Sequence, residues 1–142
     1  MPPKIADELK NSEILERVLS RDRFVLNQGI KPEVVRPGYG KASLVVTEHH
    51  LNGVDIVQGG ALFTLADYAF ALACNSYENV AVGIESNISF VKPSRVGDTL
   101  YAEAEEISRS KSLGSYLVRI VNAKGELIAV FYGRAFFRQE KK

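Results

Sequence analysis

The segment ALFTLADYAFALACN, residues 61–75, constrains the fold of this chain more than any other stretch. It is rich in Ala and Leu and is apolar almost all the way round. A surface helix carries one apolar stripe, whereas a helix that is apolar on all sides has to be covered on most of them. One antiparallel sheet curled around a single helix provides that cover. The expected class is therefore α+β, a curved antiparallel sheet around one central helix.

The rest of the chain supplies the parts. Residues 1–26 read as a helical N-terminal arm, with Leu9, Ile14, Leu15, Val18 and Leu19 at helical spacing from residue 3 onward. Asn11 and Ser12 are candidate caps for a helix starting near Glu13. This arm is expected to pack rather than to carry function. GIKPEVVR (29–36) and KASLVVT (41–47) read as a hairpin around the turn PGYG at 37–40. Residues 48–60 read as a loop. Four strands follow, near 81–93, 98–108, 112–122 and 126–138. In the second of these Leu100, Ala102 and Ala104 alternate with Tyr101, Glu103 and Glu105, the period of a half-buried strand. A turn at Ala123, Lys124 and Gly125 separates the last two, and Gly133 is a candidate bulge. The terminal QEKK reads as solvated. With 142 residues and neither repeat nor linker, residues 1–142 are expected to form a single domain.

Composition removes several classes of function. Eighteen Lys and Arg against seventeen Asp and Glu leave a net charge of +1, so the basic excess of a nucleic-acid binder is missing. No apolar run reaches the roughly 18 residues that span a bilayer, and no membrane partner is expected. MPPKIADELK has charges and no apolar core, so no secretory signal is visible and a cytoplasmic location is expected. Cys74 is the one cysteine, and His49 and His50 are the only histidines. Neither a disulfide nor a Cys- or His-based metal site is expected from them.

The central helix contains one charge, Asp67. An isolated carboxylate in an apolar surrounding is costly and shifts its pKa. Asp67 therefore lies at an open edge or serves a function. Gly60, Thr64, Asp67 and Ala71 share one stripe of the helix, and this small or polar stripe can line a cleft. At its start, Gly59 and Gly60 allow close approach to the backbone. First-turn N–H groups lack helical partners and sit at the positive end of the dipole, so an oxyanion is stabilised there. Asp67 lies about 10 Å further along the axis from Gly60. A symmetric dimer can instead set Asp67 of one subunit against the Gly60 amide of the other.

Other residues invite weaker readings. His49 and His50 point apart if extended and are expected in a surface loop. Cys74 is expected in the core. Lys92 and Arg95 flank Pro93, where solvated charges are the first expectation.

The motifs NG at 52–53, GGALFTLAD at 59–67 and AFALACNS at 69–76 resemble the PaaI-type thioesterases of the hotdog-fold superfamily. The stretches SFVKPSRVGDTLYAEAE (89–105) and GSYLVRIVNAKGELIAVFYGRA (114–135) are similar to that family as well, and the resemblance covers about 22–138. It implies a hotdog fold and an acyl-CoA thioesterase acting as a homodimer, often paired into a homotetramer. Asp67 would act as general base on water or as nucleophile, with the Gly60 amide as oxyanion donor across the dimer interface. Asn52 would orient the carbonyl or the water, and Thr64 would sit close to the carboxylate. Gly59, Phe63, Thr64 and Gly83 would meet the substrate; Gly83 stands where some relatives place a serine that supports the water. Gln58 replaces the histidine found in many members. Glutamine cannot carry a proton near neutral pH but can hydrogen-bond the thioester or orient water.

The chemistry implied needs no metal and no cofactor beyond the coenzyme A thioester that is its substrate. A thioester is activated, so one positioned base and one polarised carbonyl suffice. An aryl- or medium-chain acyl group is expected. The coenzyme A phosphates would lie near Lys92, Arg95, Arg109 or Lys111. The alternatives are a non-catalytic acyl-CoA-binding hotdog module, suggested by Gln58, and a hydratase using His49 or His50 with Asp67.

Overall fold

A computed structural model of the chain describes residues 2–139. The last three residues of the QEKK terminus lie outside them. The arm is less helical than the periodicity suggests. Lys4 and Ile5 form a short strand, β1, and Asp7–Leu9 make one 3-10 turn. Pro2 and Pro3 explain the extended entry, because proline fixes φ, cannot donate, and disfavours helix in the residue before it. The helix α1 (Glu13–Ser20) begins where Ser12 caps it, its hydroxyl accepting from the Leu15 N–H at 3.1 Å. Asp22 caps the short α2 (Arg23–Asn27) in the same way, through Val25.

β2 (Lys31–Arg36) and β3 (Tyr39–Val45) form the expected hairpin, but the turn is only Pro37 and Gly38. Gly38 takes φ +73°, which a two-residue loop demands and glycine supplies freely. Tyr39 and Gly40 therefore belong to the strand. The central helix α3 runs Gly59–Cys74, starting two residues before the expected position. Asn75 closes it, its amide donating to the Ala71 carbonyl and its oxygen accepting from the Ala81 N–H. That bond fixes where β4 (Ala81–Phe90) starts. β5 (Thr99–Arg109), β6 (Leu113–Asn122) and β7 (Leu127–Phe137) complete one sheet in the order β1-β2-β3-β5-β6-β7-β4. All pairings are antiparallel except β1 with β2.

This is the hotdog architecture, with the sheet curled around α3. Leu65, Ala66, Ala69, Leu72 and Ala73 of the helix are fully buried, as are Leu100, Ala102 and Ala104 of β5. Phe70 packs edge-on to Tyr116 and tilted to Phe131. Gly133 is not a bulge; it pairs in register with Ser86 and Tyr116. A Cβ there would come within 2.9 Å of the Phe70 ring, so the glycine makes room for that ring. No helix of the described residues is long and apolar enough to cross a membrane.

The sheet approaches the helix closely at Gly40. A Cβ there would lie 2.6 Å from the Ala69 carbonyl oxygen and 2.9 Å from the Ala73 nitrogen. Both are backbone atoms that cannot rotate away. Gly40→Ala is expected to destabilise the fold by about 1–3 kcal/mol, the usual cost of overpacking. At Gly53 nothing lies within 4 Å, and Gly53→Ala should stay within about 0.5 kcal/mol of wild type. Urea unfolding of the pair is the check; equal midpoints would show that β3 yields without cost.

Candidate active site

The site is assembled around the first turn of α3. The preceding loop is braced at several points. The Gln58 N–H donates to the His50 carbonyl at 2.8 Å, and the Val57 N–H to the Ser94 carbonyl at 2.9 Å. Asn52 builds the loop tip, its side-chain oxygen accepting from the Val54 and Ile56 N–H groups at 3.0 and 3.3 Å. The loop therefore delivers Gln58 and the two glycines in a defined position.

Gln58 precedes the helix without capping it. Its carbonyl accepts from the Ala61 and Leu62 N–H groups at 3.0 and 3.3 Å, and no bond from the Gly60 N–H accompanies them. That N–H sits at the positive end of a 16-residue helix on an exposed glycine. The Gln58 side chain folds over this turn, its Oε1 2.8 Å from where a Cβ on residue 60 would stand. Gly59 is closed off on its other side by Phe90, whose ring a Cβ would meet at 2.7 Å. The start of α3 is thus in contact with the far end of β4.

The predicted stripe exists. Gly60 and Asp67 are exposed, and Thr64 and Ala71 are half-buried, while Leu62, Leu65, Ala66, Tyr68, Ala69, Phe70 and Leu72 are buried. The Thr64 hydroxyl donates to the Gly60 carbonyl at 2.8 Å. Asp67 opens to solvent at the edge of an apolar helix face. Desolvation by that face, and then the negative charge of Asp22, raise its pKa above the usual carboxylate value. Phe63 stacks edge-on against Phe131 at 5.2 Å between ring centres. Gly83 lies on β4 beside a bulge, over the Phe70 ring, where a Cβ would approach to 3.0 Å.

A cleft of about 260 Å³ opens at this turn. Gly60, Ala61 and Thr64 line it from α3, His49, His50, Leu51 and Gln58 from the preceding loop, and Phe24 and Gln28 from α2 and the residue after it. The arm was expected only to pack, and its share in this cleft is the main feature that sequence inspection missed. Thirty-six positions separate Phe24 from Gly60, and no local pattern connects them. The one available signal was Phe24 itself, an apolar residue that the arm's helical stripe did not use.

His50 corrects a second expectation. His49 is exposed, but His50 is buried. Its Nδ1 accepts from the Thr47 N–H at 3.0 Å, and its Nε2 lies 2.9 Å from the Gln28 carbonyl, so Nε2 carries the proton. Both nitrogens are committed to scaffolding, and His50 is not free to act with Asp67. Cys74 is core as expected, and burial pushes its thiol up to about 12. Lys92 pairs with Glu126, and the Arg109 guanidinium stacks on Tyr77.

A central helix wrapped by one curled antiparallel sheet is the hotdog fold, and sequence similarity assigns the chain to its thioester hydrolases. The thioesterase superfamily model matches residues 55–129, and the chain belongs to that family. Acyl-coenzyme A thioesterase PaaI of Escherichia coli is 41% identical over 98 residues, spanning 69% of this chain and 70% of that protein. A putative esterase of Archaeoglobus fulgidus is 34% identical over 131 residues, 89% and 85% of the two chains. The solved structure of E. coli PaaI, from the phenylacetic acid degradation operon, covers 92% of this chain and 97% of its own. Its TM-score is 0.83 at 33% identity.

Proposed function

We propose that the protein hydrolyses acyl-CoA thioesters at sites completed across a homodimer. The observation that carries this is the open Gly60 N–H at the start of α3, with Asp67 on the same stripe and the same open face. The amide takes the thioester oxygen as it gains charge. Asp67 removes a proton from water or attacks the carbonyl itself, and its raised pKa makes it a better base than an ordinary carboxylate. Thr64, its hydroxyl donating to the Gly60 carbonyl, stands on the stripe between the amide and the carboxylate. Asn52 commits its oxygen to the loop, which leaves its amide hydrogens to orient the carbonyl or the water. Gln58 lies over the turn and hydrogen-bonds the thioester or water in place of a histidine.

About 10 Å of helix rise separates Gly60 from Asp67, too far for one carbonyl. A second copy resolves this. β4 ends the sheet with one unpaired edge, and Val82, Ile84 and Phe90 on it are 45%, 54% and 57% exposed. An open apolar edge strand is a template for pairing. Because Phe90 touches Gly59, β4-to-β4 pairing brings the partner to the site. The pairing of dimers into a tetramer rests on the family resemblance alone. The acyl group is aryl or medium-chain, facing the apolar side of the cleft and Phe63. With Lys92 and Arg109 engaged, Arg95 and Lys111 are the cations proposed for the coenzyme A phosphates.

The test is release of coenzyme A thiol from acetyl, medium-chain, phenylacetyl and hydroxybenzoyl thioesters. Turnover of at least one is expected. Tight binding of every member without turnover would instead make the protein a non-catalytic acyl-CoA-binding module.

A further inference from the structure

We propose that Phe24, carried by α2 of the N-terminal arm, is a specificity-determining residue that walls the cleft at the Gly60 amide and limits the size of the acyl group. This rests on the thioesterase function proposed above. Phe24 is 65% exposed, the highest exposure of any phenylalanine among the described residues. Its neighbour Val25 is buried, so α2 packs through one side and presents the phenyl ring on the other. The ring lines the same cleft as Gln58, Gly60, Ala61 and Thr64.

The arm is tied to the site on both sides of this residue. Six residues earlier, the Val18 carbonyl accepts from the Tyr68 hydroxyl of α3 at 3.2 Å. Four residues later, the Gln28 carbonyl accepts from His50 Nε2 at 2.9 Å, and the His50 carbonyl in turn holds the Gln58 N–H. Asp22 caps α2 between these anchors. Both α1 and α2 lie in contact with α3, which sets the arm against the central helix. The α2 backbone that carries Phe24 is therefore anchored beside the cleft.

The chemistry of the ring selects the part of the substrate it meets. A phenyl group offers no donor to phosphates and none to pantetheine amides. With the thioester oxygen on the Gly60 N–H, the apolar acyl group gains most from an aromatic wall. Removing the wall should open room there, and enlarging it should close the cleft.

The experiment compares kcat/KM of wild type, Phe24→Ala and Phe24→Trp on acetyl, hexanoyl, phenylacetyl and naphthylacetyl thioesters of coenzyme A. In Phe24→Ala the naphthylacetyl-to-acetyl ratio should rise about 10-fold, the scale of one changed contact in an apolar pocket. In Phe24→Trp it should fall. A uniform change across all four substrates would overturn the proposal, because a residue that only props the arm cannot sort acyl groups. If the wild-type protein turns over none of them, the thioesterase function fails separately. Affinities for non-hydrolysable thioether analogues of the same four groups then decide. An unchanged size ratio in Phe24→Ala would overturn the role of Phe24, and a changed one would uphold it.

Discussion

Asp67→Asn is expected to lower the rate of thioester hydrolysis by about 1,000-fold, within the roughly 100- to 10,000-fold that a positioned acid or base contributes. Asparagine keeps the size of the side chain and loses the ability to take a proton. Asp67 is exposed and carries no hydrogen bond that holds the fold together, so the variant should unfold at the same denaturant concentration as wild type. Thiol release beside urea unfolding separates chemistry from stability. Hydrolysis at the wild-type rate would remove Asp67 from the mechanism. The pH profile adds a finer check. A base works only when deprotonated, and desolvation and the Asp22 charge both raise the pKa of Asp67. The acid limb of kcat/KM should therefore lie above the ordinary carboxylate range and activity should fall as the pH drops through it. Asp22→Asn removes the charge but keeps a good cap for α2, so it should move that limb to lower pH. A limb that stays in place would mean that Asp22 does not act on Asp67.

The second large effect is recovery of activity between two inactive variants. Asp67→Asn keeps the Gly60 amide and loses the base. Gly60→Pro keeps the base and loses the N–H, at a first-turn position where a helix tolerates proline. A Cβ at this position meets only the end of the flexible Gln58 side chain. Each variant alone should be nearly inactive. If every site takes its amide from one subunit and its carboxylate from the other, each mixed dimer holds one intact site. Random exchange of equal amounts should then restore about a quarter of wild-type activity. Sites built within single chains would give no recovery at all, and that result would end the cross-subunit arrangement. Replacing Ile84 with Glu on the open edge of β4 would be the supporting control, since charge on an edge strand opposes pairing.

Much of this molecule was legible in local patterns. The all-round apolar segment 61–75 could only be a covered helix, and it is. The alternation in β5 put Leu100, Ala102 and Ala104 inward, and all three are fully buried. Ser12 announced the start of α1. The stripe of Gly60, Thr64, Asp67 and Ala71 followed from helical period alone and stands on the open face. In each case the information lies within one or two turns of chain, where periodicity and capping chemistry act.

Other features depended on partners far along the chain. Gly133 reads as a bulge from its strand and is in fact the space beneath Phe70. His50 reads as a loop residue and is buried because Thr47 and the Gln28 carbonyl claim both its nitrogens. Lys4 and Ile5 become a strand only because the edge of β2 is there to pair with them. Phe24 reads as an unremarked arm residue and reaches the cleft because Tyr68 and His50 dock the arm on either side of it. Short-range period and capping thus specify the central helix, the main strands and the line of candidate groups on that helix. Which glycine yields space, which histidine is scaffold and which arm residue lines the cleft were settled by packing. Those outcomes depend on packing between segments tens of residues apart, where no local pattern carries the information.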